Sequence, residues 1–207
     1  MNKSPAYEVA RRWGMLSNDE IDLLIKTISS LSTDAPTIIN IGAGTGTGSL
    51  AMRSAKPNAH IFTVDNSPGG PLGGLENEVH VFDEFNMRLP TQILSDSGEA
   101  GKKWGGGPID VIMIDGDHTE AGCDRDILNW EKHLKPGGLM IFHDYRGDVW
   151  QGVTKSVDKN MKELGYKQIE IARRLIVFEN PIEKQSNLVE IVKSKSVQTK
   201  KPSRSKR

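Results

Sequence analysis

The sequence predicts an α/β protein, a doubly wound sheet with helices on both faces. Three observations carry this reading. Short apolar runs bounded by Gly, Pro or acids alternate with amphipathic segments. A strand, glycine and helix passage, "TIINIGAGTGTGSL", opens the alternation. The most strand-like run, "IDVIMIDGDH", ends in acids, as expected where a buried strand emerges into a ligand crevice. The 207 residues suit one domain of ordinary size.

Each element has a local reason. Ser17 and Glu20 form a capping-box pattern, and Ile21, Leu24, Ile25, Ile28 and Leu31 recur at helical spacing, so 17–31 is read as a helix within an N-terminal helical segment, 1–35. After the turn at Pro36 the first strand breaks into alternating glycines and resumes as a helix that Pro57 ends. "HIFTVD" is a second strand ending on Asp65. The stretch 66–75, rich in Gly and Pro, is a loop that either covers a site or spans a gap. The ambiguous run 76–89 is read as a helix, because a crossover is needed before the third strand, "TQILSD". A loop with Trp104 and three glycines leads to the fourth strand. Cys123, Ile127, Trp130 and Leu134 fall on one face of a helix that stops at "KPGG", which makes Cys123 a small core residue. "LMIFHDY" is the fifth strand, and Val149, Val153, Val157 and Leu164 mark a helix. "QIEIARRLIVFE" closes the chain as two strands around Arg173 and Arg174, paired antiparallel across their tight turn.

Composition narrows the classes. No apolar run approaches the roughly 20 residues that span a bilayer, and the amino terminus lacks the apolar core of a secretory signal. A cytoplasmic protein with no membrane partner is expected, and the single cysteine excludes an internal disulfide. The formal charge of zero hides an asymmetry: from Lys193 to Arg207 there are seven basic residues and no acid, which leaves the rest of the chain acidic. The tail, 181–207, is expected to be disordered. It is read either as a weak contact for nucleic acid or another polyanion, or as a solvated tail. Homo-oligomers remain open.

The loop Gly42-Ala43-Gly44-Thr45-Gly46 lets backbone approach a ligand closely and opens a helix whose amino terminus favours polar groups. Its spacing is G-x-G-x-G; the dinucleotide fingerprint G-x-G-x-x-G would need glycine at Thr47 or Ser49. Asp65, at the end of the second strand, stands where a carboxylate accepts both hydroxyls of a ribose. Asp96, ending the third, is placed to meet an adenine amino group.

At this point "INIGAGTG", "VD", "SDSGEA" and "IDVIMIDGDHTEAGCDRDILNWEKHLKPGGLMIFHDY" together resemble the class I S-adenosylmethionine-dependent methyltransferases, in the branch of macrolide and sugar O-methyltransferases. The resemblance covers 37–178. It implies a Rossmann-like sheet of seven strands, mostly parallel with the last strand inserted antiparallel, in a cofactor-binding domain over 36–180. S-adenosylmethionine would lie over the glycine loop, with Asn40, Gly42, Gly44, Gly46, Asp65, Asp96 and Asp115 as contacts. Relatives often carry an acid where this chain has Asn40; a neutral partner holds the cofactor's ammonium less strongly.

Methyl transfer to an oxygen requires alignment and help in losing a proton, from a side-chain base or from a divalent cation. Asp115, Asp117, His118, His143 and Asp144 end two adjoining strands and offer donors on one rim. Carried over by position, the resemblance makes Asp115 and Asp144 metal ligands and Asp117 the base, with His143 in the place of one acid. An imidazole ligand suits zinc or manganese better than magnesium. A metal-free reading gives the base role to His118 or His143, and a bland one leaves the turn structural. Trp104, Tyr145 and Trp150 are candidates to stack on an acceptor. The function expected is O-methylation of a small sugar-like acceptor. The alternatives are an NAD-dependent oxidoreductase on the same sheet, or a non-catalytic nucleotide or nucleic-acid binder using the basic tail.

Overall fold

The computed structural model describes residues 4–70 and 73–181. The elements run α1 (Ala6–Trp13), α2 (Asn18–Ser29), β1 (Thr37–Ile41), α3 (Thr47–Ala55), β2 (His60–Asp65), α4 (Leu75–Glu84), β3 (Thr91–Leu94) and α5 (Ser97–Lys103). They continue as β4 (Ile109–Ile114), α6 (Glu120–Trp130), β5 (Leu134–Phe142), α7 (Gln151–Glu163), β6 (Lys167–Ala172) and β7 (Leu175–Glu179). The strands form one sheet in the order β3-β2-β1-β4-β5-β7-β6. The first five pair parallel, and β7 enters antiparallel to both β5 and β6.

Alternation along the strands divides the core. Ile38, Ile61, Val111, Met113 and Ile141 pack on one face with residues of α1, α2, α3 and α4. Ile39, Ile112, Ile114, Met140 and Phe142 pack on the other with residues of α6 and α7. The basic tail falls outside the described residues. Among the described residues no helix is long and apolar enough to cross a membrane.

The structure refines several local expectations. The N-terminal helical segment begins with a helix of its own, α1, whose Ala6, Val9 and Ala10 enter the core and whose left-handed Gly14 turns the chain toward α2. The loop with Trp104 and its three glycines is present, but a helix not expected from the sequence, α5, precedes it. Asp96 is the cap of α5 rather than the last residue of a strand, accepting from Glu99 N at 3.0 Å. The glycines of α5 serve packing: a Cβ at Gly101 would meet Trp130 at 2.9 Å. Leu134 begins β5 instead of completing a helix face, because α6 tightens into a 3-10 turn over Glu131–His133. "KPGG" lies inside β5, where Asn180 bonds Leu134 O, Lys135 O, Gly137 N and Gly138 O. Finally, Val149 precedes α7 and is 76% exposed.

Cys123 is buried in the α6 face as expected, and burial pushes its thiol up to about 11. The central strand β4 pairs with β1 and β5 and buries Val111, Ile112, Met113 and Ile114. Ile112→Ala should cost about 2–5 kcal/mol of stability, measured by urea unfolding, while Leu128→Ala on the outside of α6 should change it by less than about 0.5.

Candidate active site

The carboxyl ends of β1, β2, β4 and β5 open onto a cavity of about 680 Å³. Asn40, Gly42, Gly44, Asp65, Asp96, Asp115, Asp117, His118, His143 and Asp144 all line it. Of the expected site residues only Gly46 is set back.

The three glycines divide their work. All have positive φ, at 92°, 50° and 80° for Gly42, Gly44 and Gly46. A Cβ on Gly42 would lie 2.0 Å from the carbonyl oxygen of Asp115, so this glycine lets β1 and β4 close together. One on Gly46 would meet Val81 at 2.6 Å, which serves the approach of α4. Gly44 alone has open space around its missing Cβ. Its carbonyl accepts from Gly74 N at 2.8 Å, so the far side of the loop 66–75 leans on the glycine loop. Asp65 secures the near side, taking Ala43 N on Oδ2 and Ser67 N on Oδ1, both at 2.7 Å.

Asn40 is 2% exposed. Its Nδ2 donates to Gly42 O at 3.0 Å and to Ser49 Oγ at 3.1 Å, and its Oδ1 has no hydrogen-bond partner among the described residues. An orphaned buried acceptor at the cavity wall fits a cationic group of a ligand. The open Gly44 and the two-oxygen grip of Asp65 fit a nucleoside-like body. These residues suit the S-adenosylmethionine that the resemblance implies.

On the other side, Asp115, His118 and Asp144 offer ligand atoms that lie within 4.8 Å of one another. His118 Nε2 stands 3.1 Å from Asp144 Oδ2 and 3.5 Å from Asp115 Oδ1. Those two carboxylates raise its pKa to about 9 against the opposing effect of burial. Its ring stacks on Trp150, with centroids 4.8 Å apart. Two carboxylates and an imidazole form a donor set that fits a divalent transition metal.

His143 lies behind this trio. It is 4% exposed, with Nδ1 3.3 Å from Asp115 Oδ1 and 3.4 Å from Asp144 Oδ2, and Nε2 3.5 Å from Glu20 Oε1. Burial favours the neutral ring, yet the carboxylates outweigh it and hold the pKa far above the ordinary imidazole range. Asp144 is drawn well below the carboxylate range: its own burial opposes this, and His118, His143 and Arg174 overcome it. Arg174 Nη1 donates to Asp144 Oδ1 at 2.7 Å.

Asp117 stands apart from these pairs. Its Oδ1 accepts from Thr119 N at 2.9 Å, which lowers its pKa, and Oδ2 is 3.8 Å from Arg125. Of the three aromatic candidates, Trp150 lines the cavity. Trp104 packs on Phe62 and Trp130, and Tyr145 is buried with its hydroxyl donating to Asp158.

Sequence reasoning missed Glu20, read only as a capping acid. It is 1% exposed; Oε2 takes Ser17 N and Ser17 Oγ at 2.7 and 2.8 Å, and Oε1 takes Arg174 N at 3.0 Å and faces His143. Its position beside Ile21 and Leu24 was the available signal.

The sheet order, with a glycine loop after β1 and acids after β2 and β4, defines a class I S-adenosylmethionine-dependent methyltransferase. Residues 39–145 match the family model described as a methyltransferase domain, and the chain belongs to that family. Mycinamicin VI 2''-O-methyltransferase of Micromonospora griseorubida is 27% identical over 134 residues, which cover 58% of this chain and 30% of that protein. The chain thus spans less than a third of the length of this relative. Among solved structures, the O-methyltransferase NovP superposes with a TM-score of 0.69 at 12% identity, covering 81% of each chain. The SAH-bound Podospora anserina methyltransferase PaMTH1 gives 0.67 at 15% identity, covering 86% of this chain and 88% of that one. At these identities the likeness is one of fold.

The different surroundings of the glycines make a prediction. Gly42→Ala should destabilise the fold by about 3 kcal/mol or more, through a left-handed Cβ and a backbone collision. Gly44→Ala should fold, with about 1–2 kcal/mol of strain, yet bind S-adenosylmethionine about tenfold more weakly. Thermal unfolding and titration calorimetry separate the two outcomes.

Proposed function

We propose that this domain transfers a methyl group from S-adenosylmethionine to a hydroxyl oxygen of a small, hydroxylated, sugar-like acceptor, assisted by a divalent metal. The single observation that carries the reading is the convergence, in one cavity, of the glycine loop with Asp65 and of the cluster Asp115, His118 and Asp144. The 2''-O-methyltransferase activity of the mycinamicin relative supports oxygen as the atom methylated. Membership of a methyltransferase family speaks against the oxidoreductase alternative.

Bound S-adenosylmethionine supplies a sulfonium methyl open to in-line displacement. Asp65 would receive the ribose hydroxyls, Asp96 the adenine amino group, and Asn40 Oδ1 the ammonium. A cation held by Asp115, His118 and Asp144 would lower the acceptor's pKa. His143, expected among the ligands, acts here as the brace that fixes both carboxylates. Asp117 receives the acceptor's proton: it lines the cavity, and its Oδ2 is approached by Arg125 only at 3.8 Å. Met15, Leu16 and Trp150 form the apolar wall of the acceptor side, with Arg174 as its polar counterpart.

Calorimetry tests the first claim. Binding of S-adenosylmethionine is expected in the micromolar range, and no heat at about 1 mM cofactor would remove the reading. Chelation should abolish turnover, with manganese or zinc restoring it. Unchanged turnover would transfer the work to a metal-free mechanism, for which the ion pairing of His118 with both carboxylates already offers a charge-balanced form.

Asp117→Asn should reduce turnover by about 10²–10⁴ and leave the dissociation constant of the cofactor within about threefold. Equal losses in both would remove Asp117 from the role of base.

A further inference from the structure

We infer that Glu78, on α4 and outside the cavity lining, is a positioning residue for the ammonium of the cofactor: by taking the hydroxyl proton of Ser49 it fixes the direction of the Asn40 amide. The inference rests on the reading that this cavity binds S-adenosylmethionine.

The argument is one of donors and acceptors. Asn40 lines the cavity and commits both Nδ2 hydrogens, one to Gly42 O and one to Ser49 Oγ, which leaves its buried Oδ1 without a partner among the described residues. Ser49 is fully buried, and a hydroxyl has a single hydrogen. That hydrogen goes to Glu78 Oε1 at 2.5 Å. Ser49 can therefore meet Asn40 only as an acceptor, and only the amide nitrogen can face it. Were the Ser49 proton free, it would compete for the amide oxygen, and the bond to Gly42 O alone would hold the amide in its direction.

Glu78 is suited to hold that proton. It is fully buried, and two further donors converge on it: Thr63 Oγ1 on Oε1 at 2.8 Å and Gln92 Nε2 on Oε2 at 2.9 Å. Gln92 Nε2 also donates to Leu75 O at 2.8 Å, so its amide cannot turn over without losing a bond. A glutamine at 78 would have to set its own NH₂ against that of Gln92 or against the hydroxyls of Ser49 and Thr63. Either arrangement unsettles the chain that ends at Asn40.

The test is calorimetric, on wild type, Glu78→Gln and Ser49→Ala. Two ligands are used: S-adenosylhomocysteine, and 5'-methylthioadenosine, which keeps the nucleoside and thioether without the amino acid. Each variant should bind S-adenosylhomocysteine about tenfold or more weakly and 5'-methylthioadenosine within about twofold of wild type. In the Glu78→Gln background, Asn40→Ala should add little further loss. Equal weakening for both ligands, or none for S-adenosylhomocysteine, would overturn the assignment. A Glu78→Gln protein that does not fold leaves Ser49→Ala to decide, since it removes the middle link at nearly constant volume. Wild type that binds neither ligand would overturn the cofactor reading itself, and the inference with it.

Discussion

A buried imidazole set among three carboxylates organises the site. The His143 ring, 4% exposed, stands among Glu20, Asp115 and Asp144, each within 3.3 to 3.5 Å. A charge so far from water costs several kcal/mol unless it is paired on every open side. The pairing fixes four segments at once: the start of α2 through Glu20, the ends of β4 and β5 through the aspartates, and the β6–β7 turn through Arg174. Arg174 bonds Asp144 by its side chain and Glu20 by its backbone. The N-terminal helices are thereby bound to the chemistry, although they lie before the residues that match the family model. Asp144 accepts a left-handed backbone, φ 56°, to reach its place, a strain these ion pairs sustain.

The meeting of these residues follows from the period of a strand. Side chains alternate between faces, so Asn40 shares a face with Ile38, Asp115 with Met113, and His143 with Ile141. The parallel register aligns Met113 with Ile141 and Ile114 with Phe142, which sets Asp115 beside His143 one step further. His143 N extends this pairing by donating to Ile114 O at 3.2 Å. That face is the one covered by α2. An imidazole there is directed under the helix and toward Glu20, whereas His118, on the loop after β4, is free to turn into the cavity.

Much of this arrangement was legible beforehand. The glycine loop, the strand ends and the acidic turn each announce themselves by local composition, the alternation of elements gives the doubly wound class, and the seven strands with an antiparallel insertion are what the family resemblance implies. What escaped reading depended on contacts between distant segments. The short helix α5 was not read, because nothing nearby in sequence reveals that its Gly98 and Gly101 are small to admit Arg125 and Trp130. Glu20 looked like a cap, which it is, because its second partner lies 123 positions away in the chain. The roles of the two histidines could not be separated from spacing alone. Only the face of β5 on which His143 falls, and the helix packed there, distinguish a brace from a ligand.

The two histidines share the same carboxylates yet differ in freedom. His143 has acidic groups on both its nitrogens and is only 4% exposed at the cavity wall. His118 approaches Asp115 and Asp144 from the cavity, is 28% exposed, and rests against a half-exposed Trp150 at the start of α7. Exchange of partner is therefore open to the front imidazole and closed to the rear one. With the rear imidazole held in place, Asp115 and Asp144 keep their geometry whatever the front imidazole does. The methyl transfer proposed above would discharge a sulfonium and release a proton, and such a frame suits it, because the charges in front would change during turnover while those behind would not.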